Sequence, residues 1–256
     1  MSSLGKTVYF ASDMHFGIPD RKSSLIREEK FVQWLDMISK DASDVYIMGD
    51  LFDFWFEWKH VVPKGYIRLL GKMAELSDSG IHFHFFIGNH DMWMFSYLQD
   101  EINATIYRKD KIITIQGKKI YLSHGDGLGP GDHGYKFIKK VFRNPFAQWL
   151  YARLHPNFAV GLALFFSRKS RYSNQKKNTI NQQRERKLTD NQIIHSKHIL
   201  KEQPIDYFIY GHQHTPVFEK ISEEAILINI GNWIHDFTYL KMKDGSVEQH
   251  SFLKNA

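Results

Sequence analysis

Five short apolar runs, each followed at once by a cluster of polar side chains, constrain the fold of this chain more than any other feature. The runs cover residues 8–10, 45–47, 83–87, 120–122 and 207–210. Their length, their β-branched and aromatic residues and the Gly or polar residue that ends them are typical of buried strands. Open α/β sheets place their active sites at the carboxyl ends of such strands. The sequence therefore predicts an α/β core with one site assembled from five loops.

The polar clusters contain side chains that bind divalent transition metals. The candidate ligands are Asp13, His15, Asp50, Asn89, His124, His212 and His214. A hydrolytic two-metal site needs hard anionic or neutral ligands, a carboxylate that bridges the ions and space for a water. Asp50 is the best bridging candidate, because it follows Gly49, whose lack of a Cβ permits a sharp turn. We expect one ion to be held by Asp13, His15 and His214, and the other by Asn89, His124 and His212.

The ligand types narrow the choice of metal. Imidazole, carboxylate and amide ligands without a thiolate suit Mn²⁺, Fe²⁺ or Zn²⁺ better than Ca²⁺, and we expect Mn²⁺ first. A single Asp-x-His or Gly-Asp is most often ordinary turn chemistry. The prediction therefore depends on the joint occurrence of the clusters in this order. His82 and His84, by contrast, alternate with Phe83 and Phe85, and this strand periodicity predicts a position on a sheet face away from the metals.

The ordered blocks resemble those of the calcineurin-like metallophosphoesterase superfamily. They are Asp13-x-His15, Gly49-Asp50-x-x-Asp53, Gly88-Asn89-His90-Asp91, His124 and Gly211-His212-x-His214. The resemblance implies an α/β fold with four layers, α/β/β/α, and hydrolysis of a phosphate ester or anhydride at two divalent ions. It also implies catalytic roles for Asn89, His90 and Asp91, in which His90 offsets phosphoryl charge and protonates the leaving oxygen. Asp91 is expected to hold the other nitrogen of the His90 ring.

The length and composition bound the remaining possibilities. A chain of 256 residues can bury one substantial core. We expect a core formed by residues 1–129 and 202–256, interrupted by a helical insertion at 130–201. The sequence has no Cys, begins without a signal-peptide pattern and has a longest apolar stretch away from strands of nine residues, 158–166. These features favour a cytoplasmic location.

The segment between His124 and His212 spans 87 residues, far more than a strand connection needs. Within it, residues 130–188 contain 13 Lys and Arg but 2 Asp and Glu, a net charge of +11, whereas the remainder of the chain has a net charge of −5. Apolar residues recur at helical spacing and are interleaved with Lys and Arg. The pattern predicts a helix before Asn144-Pro145, a second after it, a short apolar helix after Pro156 and a polar helix at about 175–201 that packs back on the core.

Three interpretations of this basic, apolar segment remain open. Helices that combine large apolar side chains with cations suit a membrane surface or an amphiphilic ligand. The apolar faces could equally pack on each other as a helical subdomain. A basic patch can also bind nucleic acid, but Phe and Leu in helical register are poor stacking platforms, so nucleic acid is the least favoured partner.

The segment also resembles the insertion of UDP-2,3-diacylglucosamine diphosphatases, which act in lipid A synthesis. In that family a His-Gly-Asp segment is followed by an Asp and a Tyr, as Asp132 and Tyr135 follow here. A Ser-x-x-x-Asn-x-x-Lys segment is matched by Ser170, Asn174 and Lys177. The resemblance implies that these residues contact the substrate, together with Asn89, His90 and His212. It implies an amphiphilic phosphorylated substrate whose pyrophosphate is cleaved to UMP and 2,3-diacylglucosamine 1-phosphate, and peripheral contact with the cytoplasmic face of the inner membrane.

The chain departs from that narrower family beside the metal blocks. It has His90 where the best-known bacterial members have Arg, and Asp53 where they tend to have Glu. It also has Gly127-Leu128-Gly129 in place of Thr-Leu-Cys. The alternatives are therefore a metallophosphoesterase for another phosphodiester, nucleotide or phospholipid-like substrate, a nuclease, and a binding module that has lost catalysis.

Overall fold

The structure is a computed structural model that describes residues 6–129, 133–175 and 178–254, with the backbone alone for 168–175, 178–185 and 254. The strands are β1 Thr7–Ala11, β2 Ala42–Ile47, β3 His82–Phe86, β4 Thr105–Tyr107, β5 Lys111–Ile115, β6 Lys118–Ser123, β7 Tyr207–Tyr210, β8 Val217–Lys220, β9 Ile226–Asn229, β10 Thr238–Lys243 and β11 Ser246–Ser251. The helices are α1 Arg21–Ile38, α2 Ile67–Asp78, α3 Tyr97–Ile102, α4 His133–Phe142, α5 Pro145–Tyr151, α6 Pro156–Gln175 and α7 Asn178–Leu200, followed by a 3₁₀ turn at Phe252–Lys254.

The strands form two sheets that place the five predicted strand ends together. One sheet has the order β11-β10-β1-β2-β3-β4, and β1, β2, β3 and β4 are parallel neighbours. The other has the order β5-β6-β7-β9-β8, in which β6, β7 and β9 are parallel. The predicted strands β1, β2, β3, β6 and β7 thus belong to the two parallel sets, and the expected α/β architecture is confirmed.

Alternation of side chains along the strands builds the layers. In β1, Val8 and Phe10 face the second sheet, whereas Tyr9 and Ala11 face α1 and α2. The space between the sheets is filled by aliphatic side chains such as Leu122, Ile209 and Leu240. On the outer face of the second sheet, a third cluster around Phe208 and Leu227 is covered by α7. The result is the expected four-layer sandwich.

The helices between β6 and β7 follow the predicted pattern with one correction. The Asn144 side chain caps α5 by accepting from the backbone N–H groups of Phe146 and Ala147, and Pro145 occupies the first turn. The helix that begins at Pro156 is not short, because α6 runs for 20 residues. The carboxyl-terminal half of α7 packs on the second sheet through Ile193, Ile199 and Leu200, as expected.

Aromatic side chains hold α4 and α5 on the loops that follow β2 and β3. The Tyr151 ring lies 4.9 Å from that of Phe56 and 4.6 Å from that of Trp93. The Trp93 indole N–H also donates to the Phe142 carbonyl at 2.8 Å. Of the described helices, none combines the length and the apolar character needed to cross a bilayer.

His82 and His84 lie on a sheet face, as their alternation with Phe predicts. His84 Nε2 lies 3.0 Å from Asp44 Oδ1, and the His84 ring stacks on Tyr46 with centroids 4.1 Å apart. His82 Nε2 lies 2.9 Å from the Thr105 hydroxyl. Both rings are therefore occupied with neighbours in the first sheet.

The packing between the sheets predicts the effect of one truncation. Leu240 is fully buried there, so Leu240→Ala should lower the free energy of unfolding by about 2–5 kcal/mol. Leu253 is 45% exposed, and Leu253→Ala should change it by less than about 0.5 kcal/mol. Urea denaturation followed by circular dichroism measures both. Equal losses in the two variants would show that the inter-sheet layer does not carry the stability assigned to it.

Candidate metal centre

The predicted ligands converge at one edge of the sandwich. Asp13 and His15 follow β1, Asp50 follows β2, Asn89 follows β3, His124 follows β6, and His212 and His214 follow β7. Three overlapping groups have ligand atoms that all lie within 4.8 Å of one another. They are Asp13, His15 and His214; Asp50, His124 and His212; and His15, Asp53 and His90. The first two correspond to the two predicted ion sites, and Asn89 Oδ1 lies 3.2 Å from His124 Nε2.

The backbone at these positions is strained. Asp13, His15, Asp50, His212 and His214 have φ values between 46° and 68°, in the left-handed region that non-glycine residues seldom adopt. Such conformations persist only where surrounding structure enforces them, and they cluster at functional sites. Strands β1, β2 and β7 therefore end in turns that are costly locally and direct candidate ligand side chains into the centre.

In the first group, Asp13 presents one oxygen to the two histidines. Its Oδ2 accepts from the Ser12 hydroxyl at 2.6 Å and from the His212 backbone N–H at 2.9 Å. Its Oδ1 lies 3.2 Å from His214 Nε2 and 3.7 Å from His15 Nε2, and among the described residues this buried oxygen has no hydrogen-bond partner. The two Nε2 atoms are themselves 3.0 Å apart. Two imidazole nitrogens and a carboxylate oxygen directed at one point suit a divalent ion.

In the second group, Asp50 has the geometry of a bridging carboxylate. Its Oδ1 accepts from the His90 backbone N–H at 2.9 Å. Its Oδ2 lies 3.5 Å from His15 Nε2 in the first group and 3.5 Å from His124 Nε2 in the second. One Asp50 oxygen is therefore turned toward both groups of candidate ligands.

A hydrogen bond from the ring of His124 orients it for ligation. His124 Nδ1 lies 2.8 Å from the Met48 carbonyl, so Nδ1–H donates to the backbone and Nε2 is directed at Asn89 and Asp50. Metal-binding histidines commonly have their second nitrogen held in this way. The residues present thus fit a metal centre in both donor type and arrangement.

Two glycines allow the strand ends to approach this closely. A Cβ on Gly88 would collide with the carboxylate and the backbone of Asp50, and a Cβ on Gly49 would collide with the ring of His124. Gly49 also has a φ of 97°. Glycine is therefore required at these two positions because a side chain would collide with its neighbours, and at Gly49 also because of the turn.

Charge coupling within the centre shifts its pKa values. Burial lowers the pKa of His124, but the negative charge of Asp50, with Asp13 and Asp126, outweighs burial and raises it to about 10. Burial and the neighbouring charge of His124 lower the pKa of His212 to about 4. Burial would raise the pKa of Asp50, but the charges of His124, His90 and His15 hold it well below the usual range. The carboxylates of Asp13 and Asp50 thus depend on positive charge from the histidines of the centre for their ionised form.

The environment of His90 differs from the prediction in one contact. Asp91 does not hold the His90 ring, since its buried carboxylate accepts from the backbone N–H groups of Gly88 and Leu51, each at 2.8 Å. Asp53 takes that place, because His90 Nδ1 lies 3.0 Å from its carbonyl and 3.3 Å from its Oδ1. Asp91 instead shapes the loops that carry Asp50 and Asn89, and burial with the charge of Asp50 raises its pKa to about 6.

Asp53 also connects the centre to the inserted helices. Its Oδ2 accepts from the Ser167 hydroxyl of α6 at 2.7 Å, although the two residues are 114 positions apart. Asp53 belongs to the Gly49-Asp50-x-x-Asp53 block, but nothing in that block indicates a contact with the insertion. Ser167 carries no sequence signal, because a serine next to a basic cluster is common.

The other predicted substrate contacts are only partly visible. The Tyr135 hydroxyl donates to Asp126, which also pairs with Lys139 Nζ at 2.6 Å, so Tyr135 ties α4 to the loop after β6. The charges of His124 and Lys139 overcome the effect of burial and lower the pKa of Asp126 to about 2. Asp132 and Lys177 lie outside the described residues, as do the side chains of Ser170 and Asn174.

The fold and the centre agree with the family comparison. The model of the calcineurin-like phosphoesterase family matches residues 6–216. The chain therefore belongs to the calcineurin-like phosphoesterase family and is a metal-dependent hydrolase.

Curated relatives show a narrower similarity. The chain is 36% identical to the UDP-2,3-diacylglucosamine hydrolase of Porphyromonas gingivalis, over 91% of this chain and 92% of that protein. It is 27% identical to the enzyme of the same name from Edwardsiella ictaluri, over 79% of this chain and 77% of that protein. The corresponding enzyme of Salmonella arizonae is 24% identical, over 87% of this chain and 90% of that protein.

The raised pKa of His124 predicts proton release when metal binds. With a pKa of about 10, His124 is protonated at neutral pH in the metal-free protein and must lose this proton to become a ligand. His212, with its pKa lowered to about 4, is already neutral and releases none. Metal affinity should therefore rise by about one order of magnitude per pH unit through the neutral range.

Calorimetric titration with Mn²⁺ in two buffers of different ionisation enthalpy measures the released proton directly. His198→Gln serves as a control, because His198 is exposed and pairs with Glu202 away from the centre. A heat that is independent of the buffer would contradict the protonated state assigned to His124.

Proposed function

We propose that this protein is a dinuclear hydrolase that cleaves the pyrophosphate of UDP-2,3-diacylglucosamine. Water adds across one P–O–P linkage, one P–O bond breaks, and the products are UMP and 2,3-diacylglucosamine 1-phosphate. The observation that carries the proposal is the Ser167–Asp53 hydrogen bond, because it places an apolar inserted helix directly against the candidate metal centre. The names of the curated relatives support the same substrate.

The proposal assigns two ions, most simply Mn²⁺, with Fe²⁺ and Zn²⁺ as alternatives. Asp13, His15 and His214 would hold one ion and Asn89, His124 and His212 the other, with Asp50 shared between them. When bound, such ions polarise phosphoryl oxygens and lower the pKa of a coordinated water. The centre contains no thiolate ligand, in keeping with this choice of metals.

His90 is proposed to act on the phosphoryl group and the leaving oxygen. It is about one quarter exposed, in contrast to the fully buried Asp53 beside it. Asp53 orients the ring through Nδ1, so that Nε2 is the nitrogen that would meet the substrate. Donation from that nitrogen would offset charge on the phosphate and protonate the leaving group. Asn89 would contact both metal and substrate from the adjacent position.

The inserted helices present the apolar surface that a diacylated substrate requires. Large apolar side chains are exposed along α4, α5 and α6, among them Phe146 at 66%, Phe137 at 67% and Phe158 at 61%. Phe165 and Phe166 are exposed close to Ser167, which contacts the centre. An apolar surface of this kind is unusual on a monomeric protein and marks a lipid, ligand or partner. We propose that it receives the acyl chains.

The remaining substrate contacts are part of the same proposal. Ser170, Asn174 and Lys177 follow Ser167 along the chain, and α6 carries the backbone of the first two on from the centre. Together with Asp132, Tyr135 and His212 they would bind the glucosamine and its phosphate. The insertion at 130–201 is thereby proposed as the substrate-binding cap. Contact of its exposed apolar and basic residues with the cytoplasmic face of the inner membrane would give access to a diacylated substrate.

A substrate comparison tests the proposed function. The Mn²⁺-loaded protein should hydrolyse UDP-2,3-diacylglucosamine with a kcat/KM at least about two orders of magnitude above that for UDP-N-acetylglucosamine, since the latter cannot use the apolar surface. Release of UMP is followed by chromatography. Preference for nucleotides or bis(p-nitrophenyl) phosphate over the diacyl substrate would indicate a different phosphoesterase.

A pair of variants separates acid–base chemistry from metal binding. His90→Ala should retain its metal and lose about two orders of magnitude in kcat, because general acid catalysis and charge neutralisation are removed. Asp50→Ala should lose both metal content and turnover, by several orders of magnitude in rate. Metal analysis beside steady-state kinetics measures both properties. Loss of metal from the His90 variant would instead make His90 a ligand, in line with its place in the His15, Asp53 and His90 group.

A further inference from the structure

A cavity of about 480 Å³ opens beside the candidate metal centre. Its wall includes His124, the segment 107–110 at the end of β4, Lys139 of α4 and Arg143 directly after α4. We propose that this cavity binds the nucleoside monophosphate half of the substrate. The inference rests on the proposed function for the identity of the nucleoside, and on the residues of the cavity for the class of ligand.

The cations around the cavity favour an anionic group. Arg108, Lys109, Lys139 and Arg143 all line it. Lys139 pairs with Asp126, and Arg108 is held by the Phe95 carbonyl at 2.9 Å. Among the described residues, neither Lys109 nor Arg143 forms an ion pair, and both side chains are exposed. Two cations thus remain for a phosphate that enters from the His124 side.

The carboxylates of the cavity wall are already engaged. Asp110 accepts from the Tyr121 hydroxyl at 2.7 Å and from the Ser123 hydroxyl at 2.8 Å. Asp126 is bound by Tyr135 and Lys139. These contacts offset part of the negative charge of the two carboxylates. A carboxylate near the phosphate also has a use, since Asp110 could accept from a ribose hydroxyl.

Apolar and aromatic groups provide a place for a base. Tyr107 is half-buried in the cavity wall, and its ring lies nearly parallel to Phe86 with centroids 4.7 Å apart. Leu128 is half-buried in the same part of the wall, whereas Phe86 and Ile87 are buried. A planar heterocycle gains from contact with such a surface, whereas inorganic phosphate does not.

The position of the cavity separates the two halves of the substrate. His124 lines the cavity and belongs to the group of Asp50 and His212. Ser167 and Asp53, through which α6 reaches the centre, are not part of its wall. A pyrophosphate bound at the metals would therefore extend its acylated sugar toward α6 and its nucleotide toward Tyr107 and Lys109.

The proposal is tested by calorimetric binding of UMP, uridine and inorganic phosphate to the Mn²⁺-loaded protein. The double variant Lys109→Ala/Arg143→Ala should weaken UMP by about one order of magnitude or more, because two charge-assisted contacts are lost. Tyr107→Leu should weaken UMP by about fivefold or more and leave inorganic phosphate within about twofold. The matched control is Lys111→Ala/Arg68→Ala, which removes two exposed cations outside both the cavity and the insertion and should leave every affinity within about twofold.

The outcomes distinguish this inference from the proposed function. Equal weakening of UMP by the double variant and the control would overturn the cavity as a nucleotide site, as would the absence of UMP binding to the wild-type protein. Equal weakening of UMP and inorganic phosphate by the double variant, with no effect of Tyr107→Leu, would reduce it to a simple anion site and likewise overturn the proposal. Hydrolysis of UDP-2,3-diacylglucosamine in the same preparation reports on the proposed function alone.

Discussion

The buried carboxylates of Asp13 and Asp50 must be compensated by positive charge or hydrogen bonds, and the rest of the site meets this requirement. Burial of an ionised carboxylate costs several kcal/mol unless positive charge or hydrogen bonds compensate. In the described part of the chain neither carboxylate is paired with a Lys or Arg, and both are surrounded by imidazoles and backbone N–H groups. Protonated histidines offset part of this cost, but a histidine that is protonated cannot serve as a ligand. Divalent ions held by these side chains would supply positive charge and would bind the imidazole lone pairs.

The same requirement accounts for the local strain. Left-handed φ values at five ligand positions and close glycine contacts at two strand ends are unfavourable for an isolated loop. The fold tolerates these conformations because a packed core lies on each face of both sheets. One core lies between the sheets, and the other two lie under the outer helices. The rigid sandwich thus fixes the turns, and the turns fix the ligand atoms within a few ångströms.

The convergence of the candidate ligands could be predicted from the sequence, because each follows a strand whose apolar run is visible locally. The hydrogen-bond partners of the neighbouring side chains could not be predicted from the sequence. Asp91 and Asp53 lie in equally conspicuous positions, and only the folded arrangement shows that Asp91 binds backbone N–H groups while Asp53 reaches His90 and Ser167. Likewise, the pattern after Pro156 predicts an apolar helix, but nothing in that pattern indicates that Ser167 of α6 contacts Asp53. Strands β10 and β11, which extend the first sheet next to β1, are not followed by a comparable polar cluster, so the pattern does not predict them.

The inserted helices and the sandwich differ in the exposure of their aromatic side chains and in the sign of their net charge. The sandwich buries aromatic side chains such as Trp34 and Trp233. The chain outside residues 130–188 has a negative net charge. The insertion exposes Phe side chains and concentrates the positive charge, and side chains of α4, α5 and α6 contact loops of the core. Those contacts are specific: Tyr151 against Phe56 and Trp93, Tyr135 and Lys139 on Asp126, and Ser167 on Asp53. Two of the three attach within the loops that carry metal ligands, Asp126 two residues beyond His124 and Asp53 three residues beyond Asp50. The position of the insertion and the geometry of the centre are therefore coupled, because the hydrogen bonds that anchor the helices also join the loops that carry the candidate metal ligands.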